Sequence, residues 1–372
     1  MKIIVEHDVF TEAVTWVART IPNRPAIPVL AGLKIQASQN GIVSLGSRDS
    51  DISSHVDIEA DVLTAGDVLI NGRLLADICR ALPRKPIELT LDGTKLDIEC
   101  GASHFSMKTM ASEDYTEGSE MPPVVGTVDG TQWLEAISQV SIAASNDDTL
   151  PLLVSVCIEI NGDSIALMAT DRYRLAVREL KWTPADTTIS QRILVRASRL
   201  LDIAKALGSA GPIEISLSDS LIGFAAGGKQ NTVQLIDGEY PQVLSLFPAE
   251  SAGYMVMDRM EMLDAIKRSR LVVEKNAAVR LSFTEGEVTI EAGQGDQAQA
   301  SEALAAEVVG EDLKMAFNPI FLQEGFAVMS GEKVRLAVTH PTKPAVMTAE
   351  KDGESVNDFR LLLMPVRTFG NN

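Results

Sequence analysis

The chain carries two alternating patterns of hydrophobic and polar positions, one with helical spacing and one with strand spacing. One apolar stripe recurs at intervals of three and four residues and consists of Leu75, Ile78, Cys79 and Leu82. This spacing predicts an amphipathic helix. The stretch that follows, PIELTLDGTKLDIEC at 86–100, alternates apolar and polar residues on both sides of a turn. That alternation predicts a half-buried β-hairpin.

The sequence pattern of this helix and hairpin occurs twice in the chain. The phrase DICRAL at 77–82 returns as DIAKAL at 202–207, and PIEISLSDSLIGFAA at 212–226 then repeats the hairpin pattern. Upstream, the helical pattern of 8–21 is matched by that of 131–144. A repeat of helix, strands, helix and strands is therefore predicted.

A third, fainter copy completes the chain. It offers a first helix at 260–273, a hairpin at 279–292 and a helix-plus-strand phrase at 324–338. Repeats of this length are complete domains and exceed the period of solenoid modules, which is about 20 to 50 residues.

The predicted fold is α+β, with three similar tandem domains, each of two helices packed on antiparallel sheets. The predicted domain boundaries are 1–122, 126–249 and 252–372. Linkers are predicted at 120–126 and 248–254, where Pro, Gly and small residues interrupt the periodicity.

The polar faces of the doubled helix share a feature. A basic residue recurs as Arg80 and Lys205 opposite the apolar stripe. A solvated face and a face that meets an anionic ligand both remain possible. The third copy has Glu324 in this region. Its basic residues lie instead in the first predicted helix and just after it: Lys267, Arg268, Arg270 and Lys275.

Net charge and cysteine content bear on which ligands, metal sites and cellular location the chain is expected to have. The net charge of −18 predicts long-range repulsion from nucleic acid and anionic membranes. Cys79, Cys100 and Cys157 lack metal-ligand spacing and are expected to be buried thiols. Because there is no apolar signal core or run of roughly 18 apolar residues, a cytoplasmic location is predicted.

Candidate catalytic groups are few. The four histidines have no metal-ligand spacing, and no cofactor or metal is predicted. The segment GFAAGGKQ at 223–230 resembles a P-loop, but Gln230 replaces the Ser or Thr that would hold magnesium. A hairpin turn at Gly227 and Gly228 is the preferred interpretation, and a nucleotide hydrolase is an alternative. Asp171 is expected to form a structural ion pair with an arginine rather than to act in catalysis.

Two stretches mix arginine with apolar residues. ATDRYRLAVREL at 169–180 alternates as a strand, and RLLLMPVR at 360–367 is an apolar run close to the C-terminus. The second stretch predicts either burial in a sheet or a groove that accepts apolar side chains of another chain.

Six stretches in this order, on the threefold repeat, carry a resemblance to a known family: NRPAIPVLAGL at 23–33, DICRALP at 77–83, ATDRYRLA at 169–176, LIDGEYP at 235–241, FNP at 317–319 and MPVR at 364–367. The whole chain resembles the beta subunit family of bacterial DNA polymerase III, the sliding clamps. The resemblance implies a non-catalytic processivity factor with the DNA clamp fold. Such a factor is expected to act as a head-to-tail homodimeric ring that surrounds duplex DNA without sequence specificity. Its partners are the replicative polymerase, the clamp loader and repair proteins, which bind through a short peptide.

Geometry agrees with a dimer. Three touching spheres of the size expected for such domains leave a hole of only about 5 Å, whereas six leave about 35 Å. One chain is too small to surround a duplex, but two chains are large enough.

The resemblance also implies three sets of site residues. The DNA-binding set is Arg24, Arg73, Arg80, Arg199 and Lys205. The partner-peptide groove is lined by Thr170, Arg172, Leu175, Pro241, Leu246, Leu362, Met364, Pro365 and Arg367. The dimer interface includes Phe105 and Leu271, although Leu271 could equally be a core residue.

One departure from the family pattern concerns the groove. Arg172 and Tyr173 stand where some members carry Gly-His, which affects the expected peptide preference. A tandem-domain peptide-binding scaffold that does not act on DNA is the alternative function.

Overall fold

A computed structural model of the protein describes residues 1–274, 277–293 and 298–366. Six α-helices lie in this described part: α1 (His7–Ala18), α2 (Gly72–Ala81), α3 (Gly130–Ser141), α4 (Ala197–Leu207), α5 (Arg259–Ser269) and α6 (Pro319–Val328). Short 3-10 helices cover Pro28–Ala31, Leu244–Leu246 and Arg270–Val272. Each predicted repeat therefore contributes two α-helices.

The strands follow the same threefold order. The first repeat contains β1 (Lys2–Val5), β2 (Gly32–Ala37), β3 (Ile42–Arg48), β4 (Ile52–Glu59), β5 (Asp61–Thr64), β6 (Gly66–Asn71), β7 (Ile87–Asp92), β8 (Lys95–Cys100) and β9 (Ser103–Lys108). The second contains β10 (Val124–Asp129), β11 (Ser155–Asn161), β12 (Ser164–Thr170), β13 (Arg174–Lys181), β14 (Thr183–Pro184), β15 (Ser190–Arg196), β16 (Pro212–Leu217), β17 (Leu221–Ala226) and β18 (Lys229–Gln234). The third contains β19 (Gly253–Asp258), β20 (Val279–Thr284), β21 (Glu287–Ala292), β22 (Ala300–Val309), β23 (Leu313–Phe317), β24 (Lys333–Val338), β25 (Ala345–Lys351) and β26 (Glu354–Leu363).

The chain forms two compact units, and the second repeat is divided between them. The first unit comprises Met1–Thr131, Thr183–Asp186 and Asp202–Leu235. The second unit comprises Gln132–Trp182, Thr187–Leu201 and Ile236–Asn372.

In the first unit, strands of two repeats join in one sheet. A five-stranded sheet has the order β5-β1-β7-β8-β9, and a nine-stranded sheet has the order β14-β10-β16-β17-β18-β4-β3-β2-β6. Antiparallel pairing of β18 with β4 sets Asn231 opposite Ser54 and makes the second sheet continuous. Helices α1 and α2 pack against each other, and their apolar faces are buried, including Phe10 and Leu75.

In the second unit, a twelve-stranded sheet has the order β15-β11-β12-β13-β26-β25-β24-β19-β22-β21-β20-β23. Here β13 of the second repeat pairs with β26 of the third, with Leu175 opposite Leu362. Helices α5 and α6 pack together. Strand pairing is antiparallel throughout the described sheets, as the α+β prediction requires.

Local sequence explains where the helices begin. The side chain of Asn71 accepts a hydrogen bond from the amide of Leu74 at the start of α2, and Asn318 does the same for Ile320 at the start of α6. Such caps satisfy amide donors that have no partner within the helix. Pro319 follows its cap at a position where the missing N–H costs nothing.

The near P-loop is a hairpin turn. Gly227 and Gly228 both have positive φ, +58° and +78°, and connect β17 to β18. These dihedrals suit a two-residue turn whose twist matches the flanking strands. The hairpin interpretation of 223–230 is confirmed.

Three predictions of detail were wrong in whole or in part. The stretch 169–180 is not one strand, because β12 ends at Thr170 and a turn precedes β13. The Asp171 carboxylate accepts the amides of Tyr173 and Arg174, each at 3.0 Å, and so stabilises that turn. In the third copy the second helix begins at Pro319, earlier than the predicted 324. The predicted linkers at 120–126 and 248–254 overlap the first residues of β10 and β19.

Burial of the thiols was predicted correctly. Cys79, Cys100 and Cys157 are free and buried. No described helix is both long and apolar enough to cross a lipid bilayer. In the described ranges, no three His, Cys, Asp or Glu side chains are grouped so that they could hold a metal ion.

Candidate functional sites

The doubled helix has the predicted amphipathic character in both copies. In α2, Leu75 and Cys79 are fully buried while Arg73 and Arg80 are exposed. In α4, the apolar stripe is buried and Lys205 is exposed. Each helix thus presents positive charge to solvent.

The basic residues of the predicted DNA-binding set are placed as follows. The Arg73 guanidinium donates to the carbonyl of Ile21, which places the start of α2 beside the loop that carries the exposed Arg24. Arg80 pairs with Asp77 on the exposed face of the same helix. Arg24, Arg73, Arg80 and Lys205 belong to the first unit, and the half-buried Arg199 belongs to the second.

The basic residues of the third copy are engaged by neighbouring side chains. Lys267 pairs with Asp264 at 3.0 Å, Arg268 with Glu302 at 3.0 Å, and Arg270 donates to Gln323. The hydrogen bond from Arg268 lowers the pKa of Glu302 and raises that of Arg268. These cations are already neutralised or bonded, and Lys275 lies outside the described residues.

The predicted groove residues surround one apolar cluster in the second unit. Register along β12, β13 and β26 sets Thr170 opposite Leu175 and Leu175 opposite Leu362. All three side chains are buried. Leu175 and Leu362 belong to a packed cluster that also includes Tyr240 and Val243, so they form a floor rather than an open surface.

Other predicted groove residues lie at the rim. Leu246 is 56% exposed and Met364 is 41% exposed. Pro241 is exposed between Tyr240 and Val243, both buried in the cluster. Pro365 is half-buried, and Arg367 lies outside the described residues.

Burial in the cluster affects its ionisable groups. Burial raises the pKa of the Cys157 thiol to about 11, and the nearby Arg192 opposes this shift. Burial also raises the pKa of the Tyr240 phenol. Both groups are neutral at physiological pH, so the floor of the site is uncharged.

The β12–β13 turn contains Arg172 and Tyr173, the two residues that depart from the family pattern, and its backbone has an unusual conformation. Arg172 has a φ of +79°, in the left-handed region that favours glycine. The Thr170 hydroxyl donates to the carbonyl of Arg174 at 2.7 Å and accepts the amide of Arg172 at 3.2 Å. The carbonyl of Tyr173 accepts the amide of Met364 at 2.9 Å, which ties the turn to the rim.

Sequence reasoning missed Arg174. Its guanidinium is 6% exposed, pairs with Asp171 at 2.9 Å, and also binds Glu324 of α6. It lies over the ring of Phe321, with 4.2 Å between the guanidinium carbon and the ring centroid. The predicted structural ion pair of Asp171 is confirmed, and the Asp–Arg spacing of three residues was the available signal for its partner.

The two predicted dimer residues are both exposed apolar side chains. Phe105 is 39% exposed on β9, the last strand of the five-stranded sheet. Leu271 is 85% exposed in the 3-10 helix Arg270–Val272. The alternative that Leu271 is a core residue is wrong.

An unpredicted feature of the first unit is a polar seam, formed by Ser53, Ser54, Asn231 and Thr232 where β4 meets β18. The hydroxyl oxygens of Ser53 and Thr232 lie 2.5 Å apart, and the Asn231 amide donates to the Ser54 hydroxyl at 2.6 Å. A cavity of about 290 Å³ borders the seam. At its mouth Lys34 pairs with Glu117 at 2.6 Å.

Comparison with known proteins covers the entire chain. Models of the N-terminal, central and C-terminal domains of the DNA polymerase III beta subunit match residues 1–119, 127–242 and 244–367. A beta sliding clamp of Streptomyces coelicolor is 45% identical over 100% of both chains. One of Micrococcus luteus is 49% identical over 82% of this chain and 98% of its own. The crystal structure of the DNA polymerase sliding clamp from Bacillus subtilis superposes with a TM-score of 0.91, 25% identity, and coverage of 99% of this chain and 100% of that one.

Proposed function

The chain belongs to the DNA polymerase III beta subunit family, the beta sliding clamps. From this membership we propose which of its residues face DNA, bind partner peptides and form the dimer. It is a DNA sliding clamp, a non-catalytic processivity factor that encircles duplex DNA as a homodimeric ring and tethers the polymerase. The observation that carries this function is the match of all three family domains, in order. A scaffold that does not act on DNA is set aside.

The domain boundaries and the cellular location are part of the proposal. The domains run over 1–122, 126–249 and 252–372, each with two of the six described helices. The protein acts in the cytoplasm, where bacterial DNA is replicated.

The DNA-facing residues are Arg24, Arg73, Arg80, Arg199 and Lys205. Four of them are exposed, and Arg73 and Arg24 lie on adjacent segments. A closed ring is retained on DNA by topology, so it needs only a few phosphate contacts without base readout. The acidic remainder of the surface, which repels DNA at long range, is compatible with that requirement.

The test is a fourfold charge reversal, Arg24→Glu, Arg73→Glu, Arg80→Glu and Lys205→Glu, measured as retention of loaded clamp on nicked circular DNA. Retention should fall while light scattering still reports a dimer. The matched control reverses four exposed lysines of the third repeat: Lys314, Lys333, Lys343 and Lys351. Equal retention by both variants would refute the DNA-facing assignment.

The groove holds an extended partner peptide through apolar anchors. Buried Leu175 and Leu362 form its floor, and Leu246 and Met364 offer exposed apolar surface at its rim. Thr170, Arg172, Pro241 and Pro365 border it, and Arg367 is included from the family pattern. Leucine or phenylalanine side chains suit such a surface.

The groove is tested with the exposed pair Leu246→Ala and Met364→Ala, because truncation of the buried floor would also damage the core. Calorimetric affinity for a synthetic peptide with leucine and phenylalanine anchors should fall at least tenfold. Val309→Ala is the control, since Val309 is similarly exposed in the same unit. Unchanged affinity in the double variant would locate the groove elsewhere.

The dimer forms through the region of Phe105 in one protomer and that of Leu271 in its partner. Among the described strands, β9 has no neighbour on its outer side in the five-stranded sheet, so its backbone groups are available for pairing. Phe105→Glu should shift light scattering toward monomer. Leu63→Glu is the control, because Leu63 is exposed on β5 at the opposite edge of the same sheet. A stable dimer of the Phe105 variant would exclude this interface.

A further inference from the structure

Arg172 occupies a position that costs backbone energy. Its φ of +79° lies where side chains other than glycine cost about 1 to 2 kcal/mol. The strain is held by the Thr170 hydroxyl, which accepts the Arg172 amide at 3.2 Å. Residues with a strained backbone cluster at functional sites. The strain therefore indicates a functional role for the Arg172 side chain.

The guanidinium of Arg172 is exposed and, within the described ranges, has no hydrogen-bond or ion-pair partner. Other arginines of β13 and β26 have carboxylate partners: Arg174 with Asp171 and Glu324, Arg178 with Asp358, and Arg360 with Glu179. In the part of the chain that the structure describes, Arg172 therefore supplies a positive charge without an ion-pair partner beside the groove.

The turn fixes this charge relative to the rim. The next residue, Tyr173, accepts the amide of Met364 through its carbonyl at 2.9 Å, and its ring lies 6.5 Å from that of Phe321. The charge of Arg172 also reaches Asp147, whose carboxylate accepts hydrogen bonds from Thr149. The pKa of Asp147 is lowered chiefly by those bonds and slightly by Arg172.

We propose that Arg172 makes the groove select partner peptides that carry an aspartate or glutamate next to their apolar anchors. The proposal rests on the peptide-binding function assigned to the groove. A carboxylate on the peptide meets a guanidinium that has no ion-pair partner among the described residues, so the attraction is not offset by a broken ion pair. A neutral amide at the same place gains no such attraction. Arg172 is thus a specificity-determining residue, whereas the exposed apolar rim of Leu246 and Met364 supplies affinity.

The test uses the full-length dimer and capped synthetic peptides with fixed leucine and phenylalanine anchors. One Asp is placed before, between or after the anchors, and each peptide has a matched Asn version. Affinities are measured by calorimetry in low and high salt for wild type, Arg172→Gln and Arg172→Lys. Gln retains a polar, uncharged side chain in the same strained turn, and Lys retains the charge on a long side chain.

In at least one placement, wild type should bind the Asp peptide about twofold to fivefold more tightly than the Asn peptide, the range typical of an exposed ion pair. This preference should disappear in Arg172→Gln, persist in Arg172→Lys and weaken in high salt. Affinity for the Asn peptides should be the same in all three proteins.

Three results would overturn the proposal. Equal binding of Asp and Asn peptides by wild type in every placement would remove the selectivity while leaving the groove intact. A preference that persists in Arg172→Gln would assign the selectivity to another residue. Failure of every peptide to bind wild type would reject the groove itself and the proposal with it.

Discussion

The guanidinium of Arg174 on β13 binds the carboxylate of Glu324 on α6, a residue 150 positions further along the chain. The same guanidinium pairs with Asp171 at the adjacent turn and covers the ring of Phe321. One buried cation therefore links a strand of the second repeat to a helix of the third, directly behind the turn that carries Arg172.

Loss of this cation should destabilise the second unit. Arg174→Met leaves two carboxylates without their partner, and breaking a buried pair of this kind costs about 3 to 5 kcal/mol, less where one partner is partly exposed. We expect the free energy of unfolding in urea to fall by roughly 2 to 4 kcal/mol. Lys181→Met, which breaks the exposed 3.0 Å pair with Asp163, should cost at most about 1 kcal/mol. Equal losses would contradict a structural role for Arg174.

Replacing Arg172 by glycine should stabilise the protein. Glycine adopts a φ of +79° without steric cost, although it also gains freedom in the unfolded chain. The net expectation is a gain of roughly 0.5 to 1 kcal/mol in the free energy of unfolding. Arg172→Ala keeps the Cβ atom and should bring no such gain. A glycine variant no more stable than the alanine variant would show that the turn is unstrained.

Stability should decline as pH rises above 9. Burial raises the pKa of Cys79 to about 12 and that of Cys157 to about 11, from an ordinary value of 9.0. Between these values a thiol ionises only in the unfolded chain, so rising pH favours unfolding by up to about 1.4 kcal/mol per pH unit for each thiol. Urea unfolding from pH 8 to 10 measures the slope. Cys79→Ala with Cys157→Ala should flatten it, and an unchanged slope would assign it to other groups.

The polar seam should depend on Asn231. Its amide donates to the Ser54 hydroxyl at 2.6 Å and to the Ser53 carbonyl at 3.3 Å. Asn231→Ala removes this amide donor from both buried acceptors, at a cost of about 1 to 3 kcal/mol in the free energy of unfolding. Gln234→Ala on the same strand changes an exposed side chain and should stay within about 0.5 kcal/mol. Similar effects of the two substitutions would mean that the seam hydrogen bonds contribute little.

Periodicity predicted the repeated helices and hairpins because each pattern reports local burial. The α2 stripe that contains Leu75 and Cys79 is buried as its spacing required, and the Gly227–Gly228 turn followed from residues that tolerate positive φ. The turn inside 169–180 is marked in the sequence by three consecutive polar residues, Thr170, Asp171 and Arg172, which interrupt the alternation expected of one strand. The strand is broken there by the side chain of Asp171, which accepts two amides of the turn, and by that of Thr170, which accepts the amide of Arg172.

Contacts between distant segments were beyond the reach of sequence patterns. The Arg174–Glu324 pair depends on the packing that brings α6 next to β13, and no local sequence pattern predicts that these two residues are partners. The polar seam was missed for a similar reason, because Ser53 and Thr232 are ordinary strand residues until β4 and β18 pair. The groove residues were named through family resemblance, and strand register explains why Leu175 and Leu362 are neighbours.

The two strand junctions differ in what water can do when they separate. If β4 moves away from β18, water molecules replace the lost partners of the Ser53 and Thr232 hydroxyls, although the buried pair Ile52 and Val233 at the end of this junction loses a dry contact. If β13 moves away from β26, Leu175 and Leu362 lose their dry contact. Water is therefore expected to reach the hydroxyl-lined positions of the β4–β18 junction more readily than the leucine-lined junction of β13 and β26.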